Sequence, residues 1–195
     1  PEDYVESLIA ILGEAEKLQK KTQALLLLAQ TGFDGKRQKF GKVRMDQLIL
    51  DVKETVEKIQ TNNKISLDFS LLPENPLLLK VLGNEQLLHL AVSNIVLNAC
   101  KYSDGQTVNI ALAVMDGSII IIVKDNGIGI PSDEMDYIYD PYFRASNTEN
   151  HEGHGIGLPL ARNIIRIHDG ELRIRSTINK GTTVEIHLPK GDFVL

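Results

Sequence analysis

The chain has 195 residues, of which 43% are hydrophobic and 24% charged, and it carries 21 Lys and Arg against 26 Asp and Glu for a net charge of -5. At roughly 100–200 residues per domain this leaves room for one full domain and an appendage, excludes two large domains, argues against disorder, and counts against a binder that holds a nucleic-acid backbone by bulk charge. The single cysteine, Cys100, excludes an internal disulfide and a cysteine-built zinc site and suits a reducing compartment.

The longest apolar runs, 24–29 and 119–123, fall far short of the ~18 residues of a membrane-spanning helix, so a soluble chain is expected. It opens at Pro1 with no signal-like segment and enters a helical pattern at once, which reads as an excerpt of something longer. Leu8, Ile11, Ala15, Leu18, Thr22, Leu25 and Ala29 follow one another at alternating steps of 3 and 4, a heptad seam that Leu12 and Leu26 widen toward the stripe of a bundled helix. Such a helix needs partners, from a missing segment, a second copy, or its own globular domain. The Gly-rich and charged stretch from Gly32 to Gly41 breaks the period and predicts a linker.

Beyond it, Leu48, Val52, Val56 and Ile59 predict a helix over Met45 to Gln60, and the alternation of Ile65, Leu67 and Phe69 after Asn62-Asn63 predicts a strand. Pro73 and Pro76 bracket a turn, Leu77 to Leu82 reads as a short apolar strand, and Asn84 is placed to cap a helix running to Tyr102. Val108 to Val114 and Ile119 to Val123 flank an Asp116-Gly117 hairpin signal. An aperiodic loop from Asn126 to Gly155 leads to a helix ending near His168, then to strands Glu171 to Thr177 and Thr182 to Leu188. This order predicts an α+β two-layer sandwich, a mixed sheet covered by helices on one face.

Three elements carry chemistry. On the helix after Asn84, residues Asn94, Asn98, Lys101 and Tyr102 fall on one face, a polar stripe amid Ile95, Val96, Leu97 and Ala99. Burying two amides without partners is costly, and an amide oxygen suits Mg²⁺ while Lys101 could reach a phosphate; an ordinary exposed face is the alternative. Asp125-Asn126-Gly127-Ile128-Gly129 follows an apolar strand, where an ionised carboxylate suits a ligand presenting an NH₂ donor such as the adenine edge, although Asp-Asn-Gly serves a plain turn equally well. Gly153-His154-Gly155-Ile156-Gly157-Leu158 opens a helix whose first N–H groups and dipole favour an anion such as a nucleotide phosphate, with a loop hinge as the alternative. Leu158 stands where the dinucleotide fingerprint needs Gly, and neither a Walker-type nor a protein-kinase signature occurs.

Taken together and in this order, Asn94-x-x-x-Asn98, Asp125-x-Gly127-x-Gly129, Asp140-Pro141-Tyr142-Phe143-Arg144, Gly153-x-Gly155-x-Gly157-Leu158 and Gly181-Thr182 resemble the catalytic ATP-binding domain of the sensor histidine kinases, within the superfamily shared with gyrase, the Hsp90 chaperones and MutL. The heptad helix resembles the second helix of that family's dimerisation and phosphotransfer hairpin. The resemblance implies a Bergerat-type ATP-binding fold over residues 42–195, a linker over 32–41 and a hairpin helix over 1–31. It implies ATP and Mg²⁺ as cofactors, with Asn98 coordinating Mg²⁺, Asn94 beside the phosphates, Lys101 contacting phosphate and Tyr102 near the base. Asp125 would accept the adenine amino group, Gly127, Gly129 and Thr182 would line the adenine side, and Arg144 would reach the γ-phosphate. The loop from Asn126 to Gly155 would be a lid, and Gly153, His154, Gly155, Ile156, Gly157 and Leu158 would cradle phosphate. His154 stands where Ser or Thr is common and keeps only its backbone donor in that role.

In gyrase-like ATPases a water-activating Glu stands where this chain has Asn94, so the resemblance implies transfer to a side chain over hydrolysis, with Asn94, Asn98, Lys101 and Arg144 as the catalytic set. The family's phosphoacceptor histidine lies on the first hairpin helix, and residues 1–31 contain none; His89, His151, His154, His168 and His187 read as structural, surface or lid residues. The implied function is γ-phosphoryl transfer to a histidine outside this chain and relay to a response regulator receiver domain. A homodimer through the N-terminal helix and a cytoplasmic location follow, with no nucleic-acid or membrane contact by this chain and an inner-membrane anchor of the parent left open. The rivals are a conformational ATPase and a nucleotide-sensing interaction module.

Overall fold

A computed structural model describes residues 39–59, 62, 64–149, 151 and 153–191, together with isolated helical positions at Tyr4, Leu8, Ile11, Thr22 and Leu26. Most of the heptad seam and of the 32–41 linker therefore lies outside the described residues. Of the seam and its flank, Leu8, Ile11 and Leu26 are exposed.

The regular structure begins at strand β1 (Gly41–Arg44), followed without a break by helix α1 (Met45–Ile59) and strand β2 (Ile65–Asp68). Gly41 thus opens a strand where the sequence placed the end of a linker; four residues are too few to show a period. Leu77 to Leu82, read as one strand, divides instead into a 3₁₀ turn over Pro76–Leu79, capped by Asn75, and strand β3 (Lys80–Gly83). Proline at the start presets the turn. Helix α2 (Glu85–Tyr102) begins where Asn84 Oδ1 accepts from Leu87 N–H at 3.1 Å. Strands β4 (Val108–Met115) and β5 (Ser118–Lys124) form the expected hairpin, with Asp116 and Gly117 both at positive φ, the primed turn that matches strand twist. Helix α3 (Gly157–Ile167) and strands β6 (Glu171–Thr177) and β7 (Gly181–Pro189) complete the order.

The main sheet has five strands in the order β2-β4-β5-β7-β6, parallel only between β2 and β4, while β1 and β3 pair separately. Alternation decides its faces. Ile110 and Leu112 on β4, Ile119, Ile121 and Val123 on β5, and Val184, Ile186 and Leu188 on β7 are buried, while Asn109, Lys124, Glu185 and His187 take the opposite parity. The buried face meets the helices: Leu48, Ile49, Val52 and Val56 of α1, Leu88, Val92, Ile95 and Val96 of α2, and Leu160, Ala161, Ile164 and Ile165 of α3 join one core. Helix α2 is the middle layer member, in contact with α1, α3, β4 and β5.

His168, at the end of α3, ties three parts of this arrangement. Its Nδ1 donates to the Ile164 carbonyl at 2.6 Å, its Nε2 accepts from Asn84 N–H at 3.0 Å, and its ring stacks on Phe40 at 4.8 Å. Only the neutral imidazole can make both bonds, and burial holds its pKa below the ordinary 6.5. A depressed histidine pKa gives stability that is complete above the unfolded value and is lost as pH falls through the folded one. Unfolding free energy from urea titrations is therefore expected to fall as pH drops below about 6.5. His168→Ala, which strands Asn84 N–H and empties the stack, should cost about 2–4 kcal/mol at pH 7.5 and lose most of that pH dependence.

Candidate nucleotide site

The C-terminal half of α2 is half-buried on the face that carries Asn94, Asn98, Lys101 and Tyr102, and that face forms one wall of a cavity of about 540 Å³. Asp125, Gly129 and Ile130 form its floor after β5, Thr182, Val184 and Ile174 enter from β7 and β6, and the stretch from Gly153 to Leu160 closes the far side. Segments far apart in sequence converge here because β5 and β7 are neighbours in the sheet and α2 and α3 pack side by side above them.

Asp125 is 5% exposed. One of its oxygens, Oδ1, accepts from Gly127 N–H at 2.9 Å and Thr182 N–H at 3.1 Å. Burial pushes its pKa up from the usual carboxylate value, and these two amide bonds oppose the shift. Among the described residues Oδ2 takes no bond, so an acceptor is what Asp125 has left to offer the cavity.

Elsewhere on the cavity wall, α3 begins after Ile156, whose side chain makes no capping bond. Pro159 has no N–H to satisfy, which leaves the amides of Gly157 and Leu158 and the positive end of the helix dipole at the cavity wall. The cavity thus has a polar acceptor at one end, apolar walls from Leu90, Ile95, Ile138 and Val184, and a helix N-terminus flanked by Asn94 and Asn98. An aromatic-sized ring system with an amino edge and an anionic tail matches that gradient.

The structure brings Asn94, Asn98, Lys101, Tyr102, Asp125, Gly129, Arg144, Gly153, His154, Gly155, Ile156, Gly157, Leu158 and Thr182 to one cavity. Gly127 is not among the residues that line the cavity and packs beside it. A Cβ there would overlap the Tyr102 carbonyl, and Ile128 N–H donates to that same carbonyl at 3.1 Å. Its smallness lets the Asp125 loop seat on the end of α2, so the close approach is to protein backbone. Lys101 Nζ donates to Tyr102 Oη at 3.0 Å, and the His151 ring covers Tyr102 at 5.1 Å.

Arg144 lines the cavity, but its guanidinium donates to the carbonyls of Thr148 and His151, at 2.6 and 2.5 Å. In this conformation its Nη2 staples two carbonyls of its own loop, while Nη1 and Nε are not used by these bonds. Among its described residues the loop from Asn126 to Gly155 holds 3₁₀ turns at Ser132–Glu134 and Ser146–Thr148, and Asn147 Nδ2 ties it to the Gly129 carbonyl at 2.9 Å. Tyr142 sits at φ 70°, a strained value for a bulky residue, where its N–H donates to the Gly155 carbonyl at 3.0 Å.

Sequence reasoning missed Ser176, whose hydroxyl links Ile130 to Thr182, and the apolar lining from Leu90, Ile138, Ile174 and Val184. A polar residue at the inward parity of β6, after Leu172 and Ile174, was the available signal.

A family model described as histidine kinase-, DNA gyrase B-, and HSP90-like ATPase matches residues 83–192. The sensor-like histidine kinase SenX3 of Mycolicibacterium smegmatis is 31% identical over 147 residues, 72% of this chain and 38% of that protein. The heme sensor protein HssS of Staphylococcus saprophyticus is 30% identical over 193 residues, 97% of this chain and 39% of that protein. The chain therefore spans about two fifths of the length of these relatives. The solved structure of the mycobacterial sensor histidine kinase MprB superposes with a TM-score of 0.66 at 26% identity, covering 78% of this chain and 98% of that one. Among the described residues, no helix is long and apolar enough to cross a membrane.

Arg144→Gln is expected to loosen the lid without unfolding the domain, because it removes a surface-held clamp and leaves the core intact. Amide exchange at Thr148 and His151 should quicken by about tenfold while that of Ile121 and Ile186 stays unchanged, as read by hydrogen-exchange mass spectrometry.

Proposed function

The chain belongs to the histidine kinase-, DNA gyrase B-, and HSP90-like ATPases, and from that premise we propose that its cavity binds Mg-ATP and delivers the γ-phosphoryl group to a histidine on another element. One observation carries the reading. Four stretches separated in sequence, around Asn94, Asp125, Gly155 and Thr182, meet in one cavity with a buried acceptor at one end and an uncapped helix N-terminus at the other.

In this reading the amino edge of adenine meets Asp125 and the phosphates meet the first amides of α3 with Lys101 alongside. Among the described residues no cluster of three His, Cys, Asp or Glu stands together. The protein's share of a Mg²⁺ shell is then the Asn98 amide oxygen, a hard neutral donor, with phosphate and water supplying the rest. Mg²⁺ held there supplies charge neutralisation on the transferring phosphoryl oxygens. The chain's own groups orient: Asn98 and Asn94 fix the tail of the nucleotide, and the lid excludes water. Asn94 is a neutral amide, far too weak a base to take a proton near neutral pH, so it cannot serve as a general base for an attacking water. That favours transfer to a side chain over hydrolysis.

The relatives' names support a place in a sensor kinase, with the N-terminal helix as part of a dimer interface and a receiver domain of a response regulator as the next acceptor. A cytoplasmic location accords with both.

Asp125→Asn tests the base end. Asparagine keeps the Oδ1 that serves Gly127 and Thr182, replaces the remaining acceptor by a donor, and removes a buried charge, so melting temperature without ligand should hold or rise. ATP at about 100 times its Kd stabilises the wild type by about 2.7 kcal/mol, and the variant should lose most of that gain in a thermal-shift titration. An unchanged nucleotide shift overturns the assignment.

The phosphate end is tested by labelling with γ-³²P-ATP and Mg²⁺. The chain alone should form no acid-labile phosphohistidine, whereas a supplied hairpin bearing the acceptor histidine should be labelled. Asn98→Ala should slow that transfer by about a hundredfold or more. Transfer at the normal rate removes Asn98 from the metal role.

A further inference from the structure

Ser176 of β6 makes three contacts with one hydroxyl. Ile130 N–H donates to its Oγ at 2.9 Å, its O–H donates to the Gly181 carbonyl at 3.0 Å, and its Oγ lies 2.8 Å from Thr182 Oγ1. Ser176 and Thr182 are direct partners in the β6–β7 ladder, one step from the Thr177–Gly181 pair that closes the hairpin. A serine hydroxyl has one hydrogen and two lone pairs, and this inventory decides the direction of the third contact. The Gly181 carbonyl can only accept, so the serine hydrogen goes there. The Ile130 amide takes one lone pair, and the second is filled only if Thr182 donates its own hydroxyl hydrogen to Ser176. The reverse assignment leaves the Gly181 carbonyl facing a lone pair.

Thr182 is then left with lone pairs alone. It lines the cavity beside Asp125, whose Oδ1 accepts the Thr182 amide, and Ile130, held by the same serine, lines it too. We infer that Ser176 is a positioning residue for base selectivity, acting through Thr182: by taking the threonine hydrogen it makes this end of the cavity a wall of two acceptors, Asp125 Oδ2 and Thr182 Oγ1. Such a wall favours a ring carrying an amino group at the edge it meets and disfavours one carrying a carbonyl, because an unmatched buried acceptor facing another acceptor is penalised. The assignment rests on the nucleotide reading of the cavity. It adds a residue that does not line that cavity and assigns the hydrogen-bond polarity of one that does.

The test is calorimetric titration of the full 195-residue chain with ATP and with ITP, which has a carbonyl where ATP has the amino group. Wild type should prefer ATP. Ser176→Ala should cut the ATP-to-ITP preference by about tenfold, as Thr182 becomes free to turn its hydrogen toward the ligand, while Ser176→Thr should keep most of it. Thr182→Val should lose the same preference with Ser176 intact, and the double variant should be no worse than Thr182→Val alone, the signature of one residue working through the other. Equal loss for both nucleotides in Ser176→Ala, or an unchanged preference, overturns the proposal. If Ser176→Ala does not fold, Thr182→Val against Thr182→Ser decides, and valine retaining the preference overturns it. A wild type that binds neither ATP nor ITP overturns the nucleotide reading itself; a wild type that binds both equally, or a discriminating wild type with an indifferent Ser176→Ala, overturns only the serine's role.

Discussion

Helix α2 turns Asn94, Asn98, Lys101 and Tyr102 toward the cavity. Sheet, α1 and α3 pack its other faces and leave Leu88, Ala91, Val92 and Val96 without solvent contact. The Asn94 and Asn98 amides are both half-buried at the cavity wall, where they keep hydrogen-bonding capacity to offer. Both ends of α2 are anchored accordingly: Asn84 caps the start and receives His168, while the carbonyl of Tyr102 at the end holds Ile128 of the Asp125 loop. Any shift of α2 would therefore move Asn94, Asn98 and the Asp125 loop together.

The cavity owes its chemical gradient to two different devices. At Asp125 the acceptor is created by excess: the carboxylate has two oxygens, and among the described residues only Oδ1 takes a hydrogen bond. At the start of α3 the donors are created by omission, since Ile156 makes no side-chain cap and Pro159 has no amide N–H, which leaves those of Gly157 and Leu158 at a dipole end. Neither device needs a formal positive charge. A chain of net charge -5 can hold an anion this way because backbone dipoles do the local work that bulk charge does elsewhere.

The lid is built from weaker material than the floor. Arg144 spans carbonyls of its own loop, Asn147 reaches one backbone oxygen, and Tyr142 is held at a strained φ by a single bond from its amide to Gly155. Polar contacts of this kind are exchanged for others at little net cost, whereas the central strands β5 and β7 beneath are packed and paired on both sides. That contrast separates a part of the site that can rearrange around a ligand from a part that cannot.

Periodicity by itself determined most of the fold: the helix over Met45–Ile59, the Asn84-capped helix, the Asp116-Gly117 hairpin and the last two strands all follow from spacing and turn chemistry, because amphipathic elements must show one face to a core. The motifs also marked about half of the residues that line the cavity, its polar and glycine part, since glycines, amides and a carboxylate at element ends are costly to keep without use. What spacing could not reveal was what each close approach is made to. The overlap that makes Gly127 small is with the Tyr102 carbonyl, the partners of Arg144 are lid carbonyls, and Ser176 governs Thr182 across a hairpin. Strand β1 and the 3₁₀ turn at Pro76–Leu79 were hidden for a related reason, being too short to carry a period. Contacts between residues remote in sequence, and the direction in which a hydroxyl hydrogen points, exist only once the strands are paired, and only the tertiary structure decided them.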